Sequence, residues 1–265
     1  MKPMLVLQLR PETEAAADEF AAILRKGGLA AGEVRRVRLD REDLPEDLDP
    51  GDFAGVIVGG GPGCVSDDAA KKSPVERRIE AAVLGLMPAV VARDLPFLGC
   101  CYGIGILAHH LGAEVSKARY SEPVGAVECR VTEAGRSDPL LEGFPATFRA
   151  FVGHKEAVQA LPRGCVHLVA SDPCPFQMIR HGRRVYATQF HPEADADGFE
   201  TRIRIYGGRG YFPPEDAARL VAMCRAETVT MPEVILARFV AACRRGWEHP
   251  ERDASGERVA PGAMP

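Results

Sequence analysis

The sequence predicts an α/β fold: a doubly wound, mostly parallel sheet with helices on both faces and antiparallel strands at one edge. Two observations carry this. Over the first 110 residues short apolar runs alternate with helical patterns. From about residue 113 to 190 strand-like runs instead follow one another across polar turns such as Arg180-His181-Gly182-Arg183.

Residues 4–8 form an apolar run with the length of a buried strand. Pro11 opens a helical pattern in which Phe20, Ile23 and Leu24 share a face, and Gly27-Gly28 stops it. Residues 34–39 read as a half-exposed strand, Val37 and Leu39 alternating with Arg36 and Arg38, before an acidic loop over 40–52. The third strand, 55–58, runs straight into Gly59-Gly60-Gly61-Pro62-Gly63. Ser73 and Glu76 have capping-box spacing with Pro74 at the first helical position, and Val75, Ile79, Val83 and Leu86 mark one face of that helix. Residues 96–99 give the fourth strand, and a helix carrying Ile106 and Leu107 begins near Tyr102. Further strands are expected at 124–131, 146–151, 166–170, 177–180 and 185–190. After Glu193 the chain turns helical, with Pro213-Pro214-Glu215 and Met231-Pro232-Glu233 starting two helices. Residues 1–195 are therefore expected to form the main domain and 196–247 a helical extension packed on it. Residues 248–265, rich in Pro, Gly and charge, read as a disordered tail.

The 265 residues are 46% hydrophobic and 26% charged, with a net charge of -4. That balance carries no nucleic-acid footprint. No apolar stretch approaches a membrane span, and the N-terminus lacks a signal-peptide pattern, so a cytoplasmic protein is expected. None of the eight cysteines forms a C-x-x-C pair, and no metal or cofactor is expected.

Gly99-Cys100-Cys101-Tyr102-Gly103 lies between a predicted strand and a predicted helix, the context of a G-x-nucleophile-x-G elbow. Glycine phasing selects Cys101, because Cys100 would need glycine where Leu98 and Tyr102 stand. At a helix N-terminus the thiol is expected to have a lowered pKa and to favour the thiolate. His191 and Glu193 follow the last predicted strand in Gln189-Phe190-His191-Pro192-Glu193. A cysteine nucleophile needs a base, and the base a carboxylate to orient it. Two residues apart in an extended segment, their side chains would share a side. Gly59-Gly60-Gly61-Pro62 alone is a phosphate nest or a plain loop.

Together the three motifs resemble the class I, or triad, glutamine amidotransferases, whose elbow precedes an H-P-E by about ninety residues. The resemblance covers residues 1–195 and implies a flavodoxin-like fold with Cys101, His191 and Glu193 as the triad. It also implies an oxyanion hole of the Gly60 and Tyr102 backbone amides, with Gly59 and Gly61 beside the substrate. Gly153-His154-Lys155-Glu156 lies where the family often has Ser-His-Gly-Asp, so Gly153 and His154 are expected at the substrate's amino-acid end. The family's elbow usually continues C-x-G-x-Q, and here that Gln is Gly105. This places the identity of the γ-glutamyl substrate in question rather than the nucleophile.

The implied activity is hydrolysis of glutamine through a cysteine thioester, with ammonia leaving. Residues 194–245 show no nucleotide-binding motif, so any acceptor would be a separate synthase subunit, as for relatives of the GMP synthase glutaminase domain. A γ-glutamyl peptide hydrolase would use the same triad. A non-catalytic binding protein on this fold, or a cysteine peptidase on a similar sheet, explains the motifs less well.

Overall fold

The computed structural model describes residues 2–207 and 212–247, so the expected tail lies outside the described residues. The chain runs β1 (Met4–Gln8), α1 (Thr13–Gly27), β2 (Val34–Arg38), β3 (Gly55–Val58), α2 (Pro74–Ala92), β4 (Phe97–Cys100) and α3 (Tyr102–His110). There follow β5 (Val115–Ser116), β6 (Glu122–Val131), α4 (Glu133–Arg136), β7 (Thr147–His154), β8 (Ala157–Val158), β9 (Cys165–Ser171), β10 (Met178–His181) and β11 (Val185–Thr188). Helices α5 (Ala196–Tyr206), α6 (Ala217–Ala226) and α7 (Met231–Arg244) complete the described chain.

Nine strands form one sheet in the order β2-β1-β3-β4-β11-β10-β9-β6-β7. The first five are parallel to one another, and every pairing from β11 to β7 is antiparallel. This is the expected flavodoxin-like arrangement with its antiparallel edge. Alternation along β1 shows why both faces need helices. Met4 and Val6 enter a core with Ile23 of α1 and Phe239 and Val240 of α7. Leu5 and Leu7 enter another with Val83 and Met87 of α2 and Ile104 and Leu107 of α3. A strand buried on both faces reads as a continuous apolar run, which is how residues 4–8 read. The two-residue strands β5 and β8 pair in a separate small sheet, and segments that short leave no periodic signal in the sequence.

Because β1, β3, β4 and β11 run parallel, the segments that follow them emerge at one edge of the sheet. Open α/β sheets place their ligand crevices at that edge. Arg10, Gly59 to Gly61, Cys101 and His191 all follow these strands.

The β4–α3 turn is tight on one side. A Cβ on Gly99 would lie 2.9 Å from the Phe97 ring and 3.0 Å from the Gly103 backbone. A Cβ on Gly103 would meet nothing nearer than Val58 at 3.8 Å, so of the two elbow glycines it is Gly99 that crowding requires. Gly99→Ala is expected to cost about 1–3 kcal/mol by overpacking and to lower Tm by roughly 3–10 °C, measured by thermal denaturation.

Candidate active site

Cys101 stands between β4 and α3 with φ 54° and ψ −93°, a region that costs a non-glycine residue about 1–3 kcal/mol. The geometry is held from outside, since the Cys101 amide donates to the Thr188 carbonyl at 2.7 Å and so ties the elbow to β11. Cys101 faces the clefts at the sheet edge, whereas Cys100 is buried in the core.

His191 follows β11 by three residues and is fixed at both ends. Its amide donates to Phe151 O at 3.1 Å, and its Nδ1 lies 2.8 Å from Glu193 Oε1. The backbone is not extended here as the sequence suggested. Residues 191–194 form a turn closed by Ala194 N donating to His191 O at 3.2 Å. Proline at the second position of a turn sets the φ the turn requires, and this is the role of Pro192. The turn, rather than strand alternation, brings the carboxylate to the imidazole. Arg202 of α5 also donates to Glu193 Oε1, from Nη2 at 2.9 Å.

All three groups are deeply buried. Burial lowers the His191 pKa, and the nearby Arg202 adds to this against the pull of Glu193. Burial works against the Glu193 carboxylate as well, but the charges around it outweigh burial, and with Arg202 at 2.9 Å it stays ionised. Burial pushes the Cys101 thiol up to about 12, with Arg10 opposing it. The resting pair is therefore a thiol and a neutral imidazole. Burial works against the thiolate expected from the helix N-terminus. A protonated His191 cannot take the thiol proton. Activity is thus expected to be full at neutral pH and lost as pH falls through the lowered His191 value. In a kcat/KM–pH profile the acid limb should lie below 6.5.

The glycine turn after β3 is explained by what crowds it. Gly59 and Gly60 do not line the clefts beside Cys101, whereas Gly61 lines both. A Cβ on Gly60 would lie 2.6 Å from the His191 ring and 2.8 Å from Arg10 Nη2, so this backbone passes too close for any side chain. The Gly60 amide donates to Glu19 Oε1 at 3.2 Å, so in this structure it is engaged and not free to meet an oxyanion. Glu19, fully buried on α1, also accepts from Arg10 Nε at 2.9 Å and Gln8 Nε2 at 3.1 Å. Gly61 N makes no hydrogen bond among the described residues, and Tyr102 N is the first amide of α3, where helices lack internal acceptors.

On one side of Cys101 a cleft is lined by Gly61, Tyr102, Gly105, Gly153, Glu156 and Gln189, among others. Gln189 Nε2 lies 4.0 Å from Cys101 Sγ. A Cβ on Gly105 would stand 3.0 Å from Glu156 Oε1, so the carboxylate takes the space a side chain at 105 would enter. Glu156 accepts from Val65 N at 2.8 Å, Ser66 N at 2.9 Å and Ser66 Oγ at 2.7 Å, which clamps the loop before α2. Gly105 is thus matched to a glutamate fifty-one residues away, not merely to helix packing. His154 lines the same cleft, but its ring is engaged: Nε2 lies 2.7 Å from Glu122 Oε2 and Nδ1 2.8 Å from Glu156 O. These bonds brace its side chain within the cleft wall. Cys174 lies near this pair, but neither imidazole nitrogen is free for a metal ion.

Sequence reasoning passed over Arg10, Glu19, Glu156 and Arg202. Arg10 had a usable signal, a charged residue just beyond the carboxyl end of a central strand. Arg202 had none, since nothing in the sequence marks the partner of Glu193.

A family model described as glutamine amidotransferase class-I matches residues 17–204. The glutamine-hydrolysing GMP synthase of Thermosipho melanesiensis is 32% identical over 149 residues, covering 56% of this chain and 26% of the relative. The GMP synthase of Geobacillus kaustophilus is 35% identical over 155 residues, 58% of this chain and 26% of the relative. The chain thus spans about a quarter to a third of the length of such relatives. The crystal structure of a glutamine amidotransferase from Methylobacillus flagellatus superposes with a TM-score of 0.68 at 20% identity, covering 96% of this chain and 98% of that one. At that identity the superposition speaks for the fold. The family model spans the elbow, the glycine turn and the His191–Glu193 pair together, and the chain belongs to the class I glutamine amidotransferases.

Proposed function

We propose that the protein hydrolyses the side-chain amide of glutamine or a related γ-glutamyl compound through a thioester on Cys101. The observation that carries this is Cys101 on a strained elbow at the end of β4, with the hydrogen-bonded His191–Glu193 pair at the end of the adjacent β11. Nδ1 of His191 is held by Glu193, which leaves Nε2 to take the thiol proton. The sulfur attacks the γ-carbonyl carbon, and the oxyanion is met by the amides of Tyr102 and Gly61, the latter in place of the engaged Gly60. His191 returns the proton to nitrogen as the C–N bond breaks, and the amine or ammonia leaves. Water then gives a proton to His191 and attacks the thioester. As the C–S bond breaks, His191 reprotonates the sulfur, releasing glutamate.

Ammonia released here would pass to a separate synthase subunit; the relatives are named as GMP synthases that hydrolyse glutamine. The reading places the reaction in the cytoplasm, where thiols stay reduced, and all eight cysteines are free. Among the described residues, no helix is long and apolar enough to cross a membrane.

The pure protein is expected to release glutamate from glutamine or from γ-glutamyl dipeptides, and a glutamine-mimicking chloroketone should label Cys101, read by peptide mass spectrometry. No turnover together with no labelling would overturn the proposal. Labelling without turnover would point to an enzyme that waits for its synthase. A γ-glutamyl peptide substrate is favoured by one observation, the absence of the family's glutamine at Gly105, where the Glu156 carboxylate instead takes the space a side chain would enter.

A further inference from the structure

We infer that the cleft on the His191 side of Cys101 is an anion subsite, built by Arg10 and Arg202, for a leaving amine that carries a carboxylate. This rests on the γ-glutamyl hydrolase reading and names the leaving group that reading leaves open.

Cys101 lies between two clefts. One holds Tyr102, Gly105, Glu156 and Gln189, and the other holds Arg10, His191, Phe199, Arg202, Tyr206 and Phe212. Of the two, His191 lines only the second. The departing nitrogen must meet His191 to be protonated, so the amine half of the substrate belongs in the second cleft and the glutamyl half in the first. Ammonia would leave the arginines that line the second cleft unused.

The guanidiniums are built for an anion. Arg202 is 6% exposed, and Nη2 holds Glu193. Its Nε and Nη1 are buried with no hydrogen-bond partner among the described residues. Unpaired buried donors carry a desolvation penalty, and a carboxylate matches the planar guanidinium fork. Arg10 is 4% exposed, with Nε on Glu19 and Nη1 on the Tyr206 hydroxyl. Its Nη2 takes part in no hydrogen bond among the described residues and lies beside Gly60. Among the described residues two cations line this cleft and no carboxylate does; Glu19 and Glu193 pair with them but do not line it. Asp18 of α1 feels Arg202 electrostatically but does not line the cleft. Phe199, Tyr206 and Phe212 supply apolar wall for the carbon skeleton between amine and carboxylate.

The test compares γ-glutamyl-glycine with its uncharged twin, γ-glutamyl-glycinamide. Binding is measured by calorimetry on the full chain carrying Cys101→Ala, and turnover on the unaltered chain. The charged twin is expected to bind about tenfold to a hundredfold more tightly, the size of charge-assisted hydrogen bonds, with kcat/KM favouring it similarly. Arg10→Gln should collapse this ratio and Arg10→Lys should keep part of it. A ratio is insensitive to the fraction of protein folded, so a partly unfolded variant still reads out. Equal binding and equal turnover of the twins would overturn the inference. If glutamine is hydrolysed at Cys101 while the twins behave alike, the inference alone fails. If no γ-glutamyl amide is hydrolysed and Cys101 resists labelling, the underlying reading fails with it.

Discussion

Cys101→Ala is expected to abolish glutamate release from every γ-glutamyl amide, a loss of about 10⁴-fold or more, while leaving Tm nearly unchanged. Catalytic groups that act as a unit fail together, so removing the sulfur leaves only the binding contacts and the oxyanion donors. The fold should survive because the elbow is fastened by the backbone bond from Cys101 N to Thr188 O, which alanine keeps. The sulfur's polar neighbour is Gln189 at 4.0 Å, a contact too long to matter for stability. Cys100→Ala should give the reverse pattern, because Cys100 packs in the core: lower Tm with retained turnover. Steady-state kinetics and thermal melts on the two variants check both halves.

Glu193→Gln is expected to lower kcat by about 10⁴-fold, the effect of an imidazole held in the wrong tautomer. Unlike the cysteine variant, it should also destabilise the fold. Glu193 is buried and its Oε1 is shared by His191 at 2.8 Å and Arg202 at 2.9 Å. Removing its charge leaves a buried guanidinium uncompensated, which costs about 3–5 kcal/mol. Differential scanning calorimetry beside kcat measurement separates the two effects. An unchanged Tm would mean that Arg202 finds another anion.

The elements legible in the sequence were those whose cause is local. Gly99 and Cys101 announce a turn through their own spacing, and the apolar run of β1 announces a strand buried on both faces. The Ser73–Glu76 capping box formed as its spacing implied, with Glu76 N donating to Ser73 Oγ at 3.2 Å. What was not legible depends on residues far apart in the chain. The Gly60 amide is taken by Glu19, forty-one residues earlier, and Arg202 reaches Glu193 from a separate helix. Glu156 filling the space at Gly105 belongs to the same class. Motif spacing states which residues a turn needs, but it carries no information on which distant side chain crosses over to occupy a neighbouring amide or gap.

The protonated state of Cys101 bears on how the protein ages. With burial pushing the thiol up to about 12, the thiolate is disfavoured at neutral pH. Peroxide and simple alkylating reagents attack the thiolate, so this cysteine should be spared by oxidants that inactivate low-pKa sensor cysteines. Reagents that bind as γ-glutamyl mimics and recruit His191 would still reach it. The same burial that makes the nucleophile dependent on its base therefore protects it from chemistry that arrives without a substrate.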